Sequence, residues 1–160
     1  MKININKLSI SLLLCLGAGF LGSLFTTPAI DTWYINLDKP IFNPPNWIFA
    51  PVWTTLYILM AFALLLIWQK NLKKKNVRFA FWLFIMHLAF NTLWSIIFFG
   101  LKNIALAMVD ISILWVMVLA LIYLFYEIDK RATWLLLPYF LWISFAALLN
   151  YCIWILNSAL

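Results

Sequence analysis

Apolar residues run along this chain in five long stretches, about Leu8–Phe25 (8–25), Ile48–Trp68 (48–68), Phe79–Phe99 (79–99), Ile104–Tyr126 (104–126) and Thr133–Leu156 (133–156). A helix rises ~1.5 Å per residue, so ~20 such residues cross the ~30 Å hydrocarbon core of a bilayer. Asp110 is the one charged residue within any of the five. The pattern predicts an all-α fold, an integral membrane bundle of five transmembrane helices that makes residues 1–160 a single domain.

The polar breaks between the stretches differ in kind. The second, third and fourth are short, so helices two to five are expected to run antiparallel and pack as consecutive neighbours. The first, about Thr26 to Trp47, carries Pro28, Pro40, Pro44 and Pro45, with Pro51 just beyond, interleaved with Trp33, Tyr34, Phe42 and Trp47. Proline fixes φ and removes a backbone donor, so this long Pro/Trp-rich first loop reads as rigid and non-helical. Its aromatics suit a lid over the outer mouth of the bundle; an interfacial aromatic belt is the other reading. No internal repeat is visible, which argues against a rocking-bundle carrier.

Composition removes the soluble classes. Hydrophobic residues are 67% and charged residues 10%, against ~45–50% and ~25% in soluble domains, and mean hydropathy is +1.02. The net charge of +6 describes topology and does not point to nucleic acid. Lys2, Lys7, Lys70, Lys73, Lys74, Lys75, Arg78, Lys130 and Arg131 fall on one side, and only Lys39 and Lys102 on the other. That asymmetry places the amino terminus inside and the carboxyl terminus outside. Lys2 and Lys7 before an apolar run also resemble a signal peptide, but the run is as long as a span, no good small-x-small site follows and Leu14 precedes Cys15, so it is read as a retained span. Cys15 and Cys152 lie within spans and read as small buried hydrophobes. The expected location is a bacterial plasma membrane.

Candidate chemistry lies in the few polar residues of the spans. Asn91, Asp110 and Asn150 all fall roughly 9–12 Å below the outer boundary on three different helices. Buried polar groups in hydrocarbon must face the bundle interior, so the three are expected to glue helices together or to line one cavity. Helical spacing adds Trp142, Phe145, Ala146 and Leu149 to the Asn150 face. It places His87, Ser95 and Phe98 with Asn91, beside Trp94, and Trp53 with Tyr57, Met60 and Ala61. Together these faces predict a tapered aromatic pocket suited to a large, flat, mainly apolar ligand.

Other motifs carry less. Gly17-Ala18-Gly19-Phe20-Leu21-Gly22 has the letters of a dinucleotide fingerprint without a preceding strand, so Ala18 and Gly22 read as a small-residue face for close helix approach. His87, the only histidine, reads as an interior hydrogen-bonding residue before a haem ligand. No metal cluster, catalytic triad or carboxylate pair is apparent, and no metal or required cofactor is expected.

Taken in order, these residues resemble the TspO/MBR family, the tryptophan-rich sensory protein and translocator protein (peripheral benzodiazepine receptor-like) family. The likeness covers nearly the whole chain: Trp33-Tyr34 with Lys39-Pro40, Pro44-Pro45-Asn46-Trp47 through Trp53 with Leu56-Tyr57, and Asn91 with Trp94-Ser95 and Phe98-Phe99. It continues with Asp110, Pro138-Tyr139, Trp142, Phe145-Ala146 and Leu149-Asn150-Tyr151 through Trp154. The resemblance implies a receptor or sensor, usually a homodimer among membrane lipid. The resemblance further implies binding of porphyrins (protoporphyrin IX or haem) and of isoquinoline or benzodiazepine-type molecules beneath the first loop. Light- and oxygen-dependent porphyrin degradation at Trp53 and Trp142, or transport of tetrapyrroles or lipids, stand as alternatives. The ligand-binding set it suggests is Trp33, Trp47, Trp53, Tyr57, Asn91, Trp94, Phe98, Asp110, Trp142, Phe145, Ala146, Leu149 and Asn150. One departure concerns cholesterol: no Lys or Arg follows Tyr151, where the animal motif needs one.

Overall fold

The computed structural model describes residues 3–158, so Lys2 lies outside the described residues. Five helices cross the length of the molecule: α1 (Ile5–Ile30), α2 (Asn46–Trp68), α3 (Lys75–Ser95), α4 (Ile104–Ile128) and α5 (Lys130–Asn157). A π-helical turn, Ile96–Gly100, extends α3. All five are long and apolar enough to span a bilayer, and no strand occurs among the described residues. Helix satisfies every backbone polar group internally, which is what a hydrocarbon solvent demands. Side chains serve the ends: Asn4 accepts from the Lys7 amide at 3.1 Å, Asn103 from Leu106 at 2.9 Å and Asp129 from Arg131 at 3.2 Å.

The helices pack in the ring order α1, α2, α5, α4, α3. The expectation that α2 and α3 are neighbours is corrected, because α1 lies against both and they touch only slightly. A short connection, 69–74, limits how far apart two helix ends lie, but it does not stop a third helix from flanking both.

The first connection is shorter than expected. α1 continues through Pro28 to Ile30, and α2 begins at Asn46, so Pro51 and Trp47 are helical and the link is 31–45. Each of these prolines lies near a helix end and deprives one carbonyl of its donor without breaking the turn. Within the link, Tyr34–Asn36 forms one 3₁₀ turn.

Small residues on α1 set the close approaches. The Ala18 carbonyl accepts from the Thr92 hydroxyl at 3.1 Å, and a Cβ on Gly22 would stand 3.0 Å from the Ser95 Oγ, so this face packs on α3. A Cβ on Gly19 would overlap the Tyr57 ring, whereas one on Gly17 would meet nothing within 4 Å. At the basic end, the Lys7 Nζ donates to the Trp68 carbonyl at 2.8 Å, and Lys70 pairs with Asp129 at 2.8 Å. Arg131 pairs with the same carboxylate at 2.9 Å. Hydrogen bonding from Arg131, then from Lys70, holds the Asp129 carboxyl well below the usual carboxylate range, against an opposing effect of burial.

Gly19→Ala therefore forces the buried Tyr57 ring to move and is expected to destabilise the protein by roughly 1–3 kcal/mol. Thermal unfolding in detergent checks this, with Gly17→Ala alongside; equal midpoints for the two variants overturn it. Because the folded Asp129 carboxyl titrates below its unfolded value of about 3.9, its stabilisation is complete above that pH and is lost as pH falls below it. The gap in melting midpoint between wild type and Asp129→Asn should be full at pH 7 and narrow under acid. A pH-independent gap contradicts the assignment.

Candidate functional site

Between the 31–45 link and the middle of the bundle lies a cavity of about 360 Å³, within the range of small-molecule sites. Its walls come from α1, α2, the end of α3 with its π turn, and α5; α4 contributes no lining residue.

On α2 and α5 the periodic faces meet across this space. Trp53 stacks on Tyr57 with ring centroids 5.6 Å apart, and Trp142 packs against Phe145 at 5.6 Å and edge-on to Phe49 at 6.1 Å. Ala146, Leu149 and Asn150 complete the α5 wall. Met60 and Ala61 continue the α2 face below it as fully buried core.

On α3 the π turn changes what spacing predicts. The Leu101 amide bonds the Ile96 carbonyl at 2.8 Å, an i to i+5 bond that widens the turn by one residue. The adjacent Phe98 and Phe99 thus both reach the cavity, their rings 4.8 Å apart, with Trp94 stacked on Phe98 at 5.0 Å. A Cβ on Gly100 would come within 2.9 Å of the Phe25 ring, so glycine permits the turn to sit against α1.

The three polar residues expected to share a layer are all buried, yet they take different partners. Asn91 lies at the cavity floor; its Oδ1 accepts from the Tyr57 hydroxyl and its Nδ2 donates to the Tyr139 hydroxyl at 3.0 Å. Asn150 accepts from the Trp94 indole at 3.1 Å and donates to the Ile104 carbonyl at 3.1 Å. Asp110 is not among the cavity residues, and its Oδ2 is buried without a partner. Helix rise predicts depth, but the rotational position of α4 behind the other helices keeps Asp110 off the wall. His87, fully buried outside the cavity, has its Nδ1 2.5 Å from the Phe84 carbonyl, consistent with the tautomer that donates there.

The 31–45 link packs against one end of the cavity, which its Tyr34 lines. Trp33 does not line the cavity but backs it, its ring 5.5 Å from Phe98. Trp47 points away, 74% exposed, and lines nothing. Phe42 lies 6.2 Å from Phe145. The Lys39 Nζ donates to the carbonyls of Tyr34 and Leu37 at 2.7 Å each and of Ile35 at 3.2 Å. Burial, opposed by nearby Asp38, lowers its affinity for a proton. The Tyr34 hydroxyl donates to Asn43 at 2.8 Å, and burial pushes that phenol up to about 12, so it keeps its proton at neutral pH. Asn157 at the end of α5 clasps Asp38 in both directions, accepting from its amide at 3.1 Å and donating to its carbonyl at 2.9 Å.

Spacing missed the α1 wall, including Gly19, Phe20, Ser23 and Thr27, and also Phe49 and Thr54 on α2. α1 is apolar all round, so no stripe marks its inward face; hydroxyl and glycine residues at 19, 22, 23, 26 and 27 were the available signal.

The TspO/MBR family profile matches residues 11–155. The chain belongs to the TspO/MBR family. It is 42% identical over 157 residues to the tryptophan-rich protein TspO of Archaeoglobus fulgidus, covering 97% of this chain and 99% of that one. Identity to the tryptophan-rich sensory protein of Cereibacter sphaeroides is 40% over 133 residues, covering 81% and 82%. With the human translocator protein it is 36% over 137 residues, covering 84% and 80%. This TspO/MBR member is thus an integral membrane protein, and among its described residues no three His, Cys, Asp or Glu side chains gather as a metal-binding group.

Removing the Asn91 amide leaves two buried tyrosine hydroxyls without their partner, which costs roughly 1–3 kcal/mol per unsatisfied group. Asn91→Leu is expected to lower the melting midpoint more than Asn150→Leu, whose partners are one indole and one helix-end carbonyl. Calorimetry or a fluorescence melt in detergent decides this, and the reverse order overturns it.

Proposed function

We propose that this protein is a membrane receptor or sensor that binds porphyrins, or isoquinoline- and benzodiazepine-like molecules, in the aromatic cavity. The observation that carries the reading is the Trp142 side chain. It lines the cavity with its indole nitrogen buried and unpartnered. A buried donor without an acceptor is uncommon, and a ligand carbonyl or carboxylate entering the cavity would supply one. Trp53 on α2 and the rings of Phe49, Phe98 and Phe145 offer faces on which a flat macrocycle stacks. Asn150 and Tyr57 are among the polar residues of the wall, while Ala146 leaves room where a larger residue would intrude.

No cofactor is required for binding in this reading. The tryptophan-rich sensory and translocator names of the relatives support a ligand-responsive role at a membrane. The grouping of Lys7, Lys70 and Arg131 at one end supports an orientation with the amino terminus inside, and the lack of a basic residue after Tyr151 supports a bacterial plasma membrane. The homodimer and the receptor role come from family likeness.

Light-driven porphyrin breakdown is the second reading, and the pairing of two indoles on one cavity favours it. A porphyrin held against them would put oxidisable rings next to its excited state.

Titration of detergent-solubilised protein with protoporphyrin IX in the dark should quench tryptophan fluorescence saturably. Trp53→Phe with Trp142→Phe should weaken binding by roughly tenfold or more. Unchanged affinity in the double variant overturns the site. Illumination then separates the readings: bleaching by wild type and not by the variant marks breakdown, and equal bleaching excludes it.

A further inference from the structure

The cavity is bounded on one side by two helix faces that are themselves open to the surroundings. Phe20, Ser23 and Thr27 on α1 and Asn46, Ala50 and Thr54 on α2 all line the cavity, and all six are exposed. Their spacing, 20-23-27 and 46-50-54, makes one stripe on each helix. A stripe that is both cavity wall and outer surface is the rim of an opening.

The gap has a floor. Where Gly19 meets Tyr57 the two helices are in close contact, and Cys15 on α1 with Leu56, Tyr57 and Met60 on α2 are buried there. Outward from that contact α2 has no buried residue between Asn46 and Thr55. The helices therefore close the inner half and part in the outer half.

The middle of the rim, Phe20, Ser23, Ala50 and Thr54, is compatible with lipid, while Thr27 and Asn46 stand at the helix ends beside the link. The Ser23 hydroxyl donates to the Phe20 carbonyl at 2.7 Å, and the Thr54 hydroxyl to the Ala50 carbonyl at 2.8 Å. Hydroxyls satisfied within their own helix present mainly hydrocarbon outward and need no water. The aqueous end differs, because the Lys39 carbonyl cage, the Tyr34–Asn43 bond and the Asn157–Asp38 clasp hold the link in place over it.

We infer that the cavity loads sideways from the bilayer, through a portal between the outer halves of α1 and α2, and so admits membrane-partitioned apolar molecules in preference to charged solutes from water. This rests on the cavity being the ligand site, but it specifies the route and hence the ligand class.

The test needs no natural ligand. In a Cys15→Ala, Cys152→Ala background, Ala146→Cys places one thiol on the far cavity wall. In nanodiscs, N-pyrenylmaleimide should label it, whereas a sulfonated, membrane-impermeant maleimide should label it about tenfold more slowly or less. Ser23→Phe with Ala50→Phe, bulky changes at exposed and therefore foldable positions, should slow the apolar reagent by a similar factor. Asn157→Ala, which frees the link, should leave its rate unchanged. Labelling by the charged reagent as fast as by the apolar one overturns the portal, as does acceleration of both by Asn157→Ala, or no labelling by either. Failure of protoporphyrin IX to bind wild-type protein would instead count against the ligand reading alone.

Discussion

The side chain of Asn91 joins three helices at the one depth where the bundle changes character. Its oxygen accepts a hydrogen bond from the Tyr57 hydroxyl on α2 and its amide donates to the Tyr139 hydroxyl on α5. In hydrocarbon, polar groups find no water, so the alternatives to this geometry are costly for all three residues together. Inward of it the interior is solid: Met60, Leu64, Phe84, Phe125 and Leu136 are fully buried. Outward of it the helices diverge around the cavity. The hydrogen-bonded node is therefore also the floor of the site, and the Tyr57 ring that it fixes is the surface against which Gly19 brings α1.

Glycine and the π turn act on that frame in complementary ways. Gly19 and Gly22 let α1 approach α2 and α3 closely, which in a bilayer is a main source of helix association because apolar side chains gain little by leaving lipid. The π turn at Ile96–Gly100 does the opposite locally, widening α3 so that two successive phenylalanines face inward. Tight packing low in the bundle and a widened turn high in it together make a cavity with a firm base and an aromatic upper wall.

The link between α1 and α2 is held by backbone carbonyls and short polar side chains. The Lys39 ammonium donates to three carbonyls, and Asn157 ties the link to the end of α5. Such bonds resist opening while leaving the side of the bundle unaffected. Access to the cavity is thereby a property of the gap between two helices, and the chemistry of its rim selects what passes.

The five spans, the helical class and the segregation of basic residues were legible in the sequence, because hydrocarbon imposes a length and polarity rule on every crossing segment independently of its neighbours. The inward faces of α2 and α5 were legible for a related reason. Trp53 with Tyr57, and Trp142 with Ala146 and Asn150, stand at helical spacing whatever surrounds them. Three things were not. The ring order that inserts α1 between α2 and α3 depends on small-residue contacts between segments distant in the chain. The exclusion of Asp110 and Trp47 from the cavity depends on rotations of α4 and α2 that helix rise cannot specify. The π turn, which adds Phe99, breaks the periodicity on which the prediction relied. Spacing along a helix is a local quantity and survives in the sequence; azimuth around a bundle is set only when all five helices pack at once.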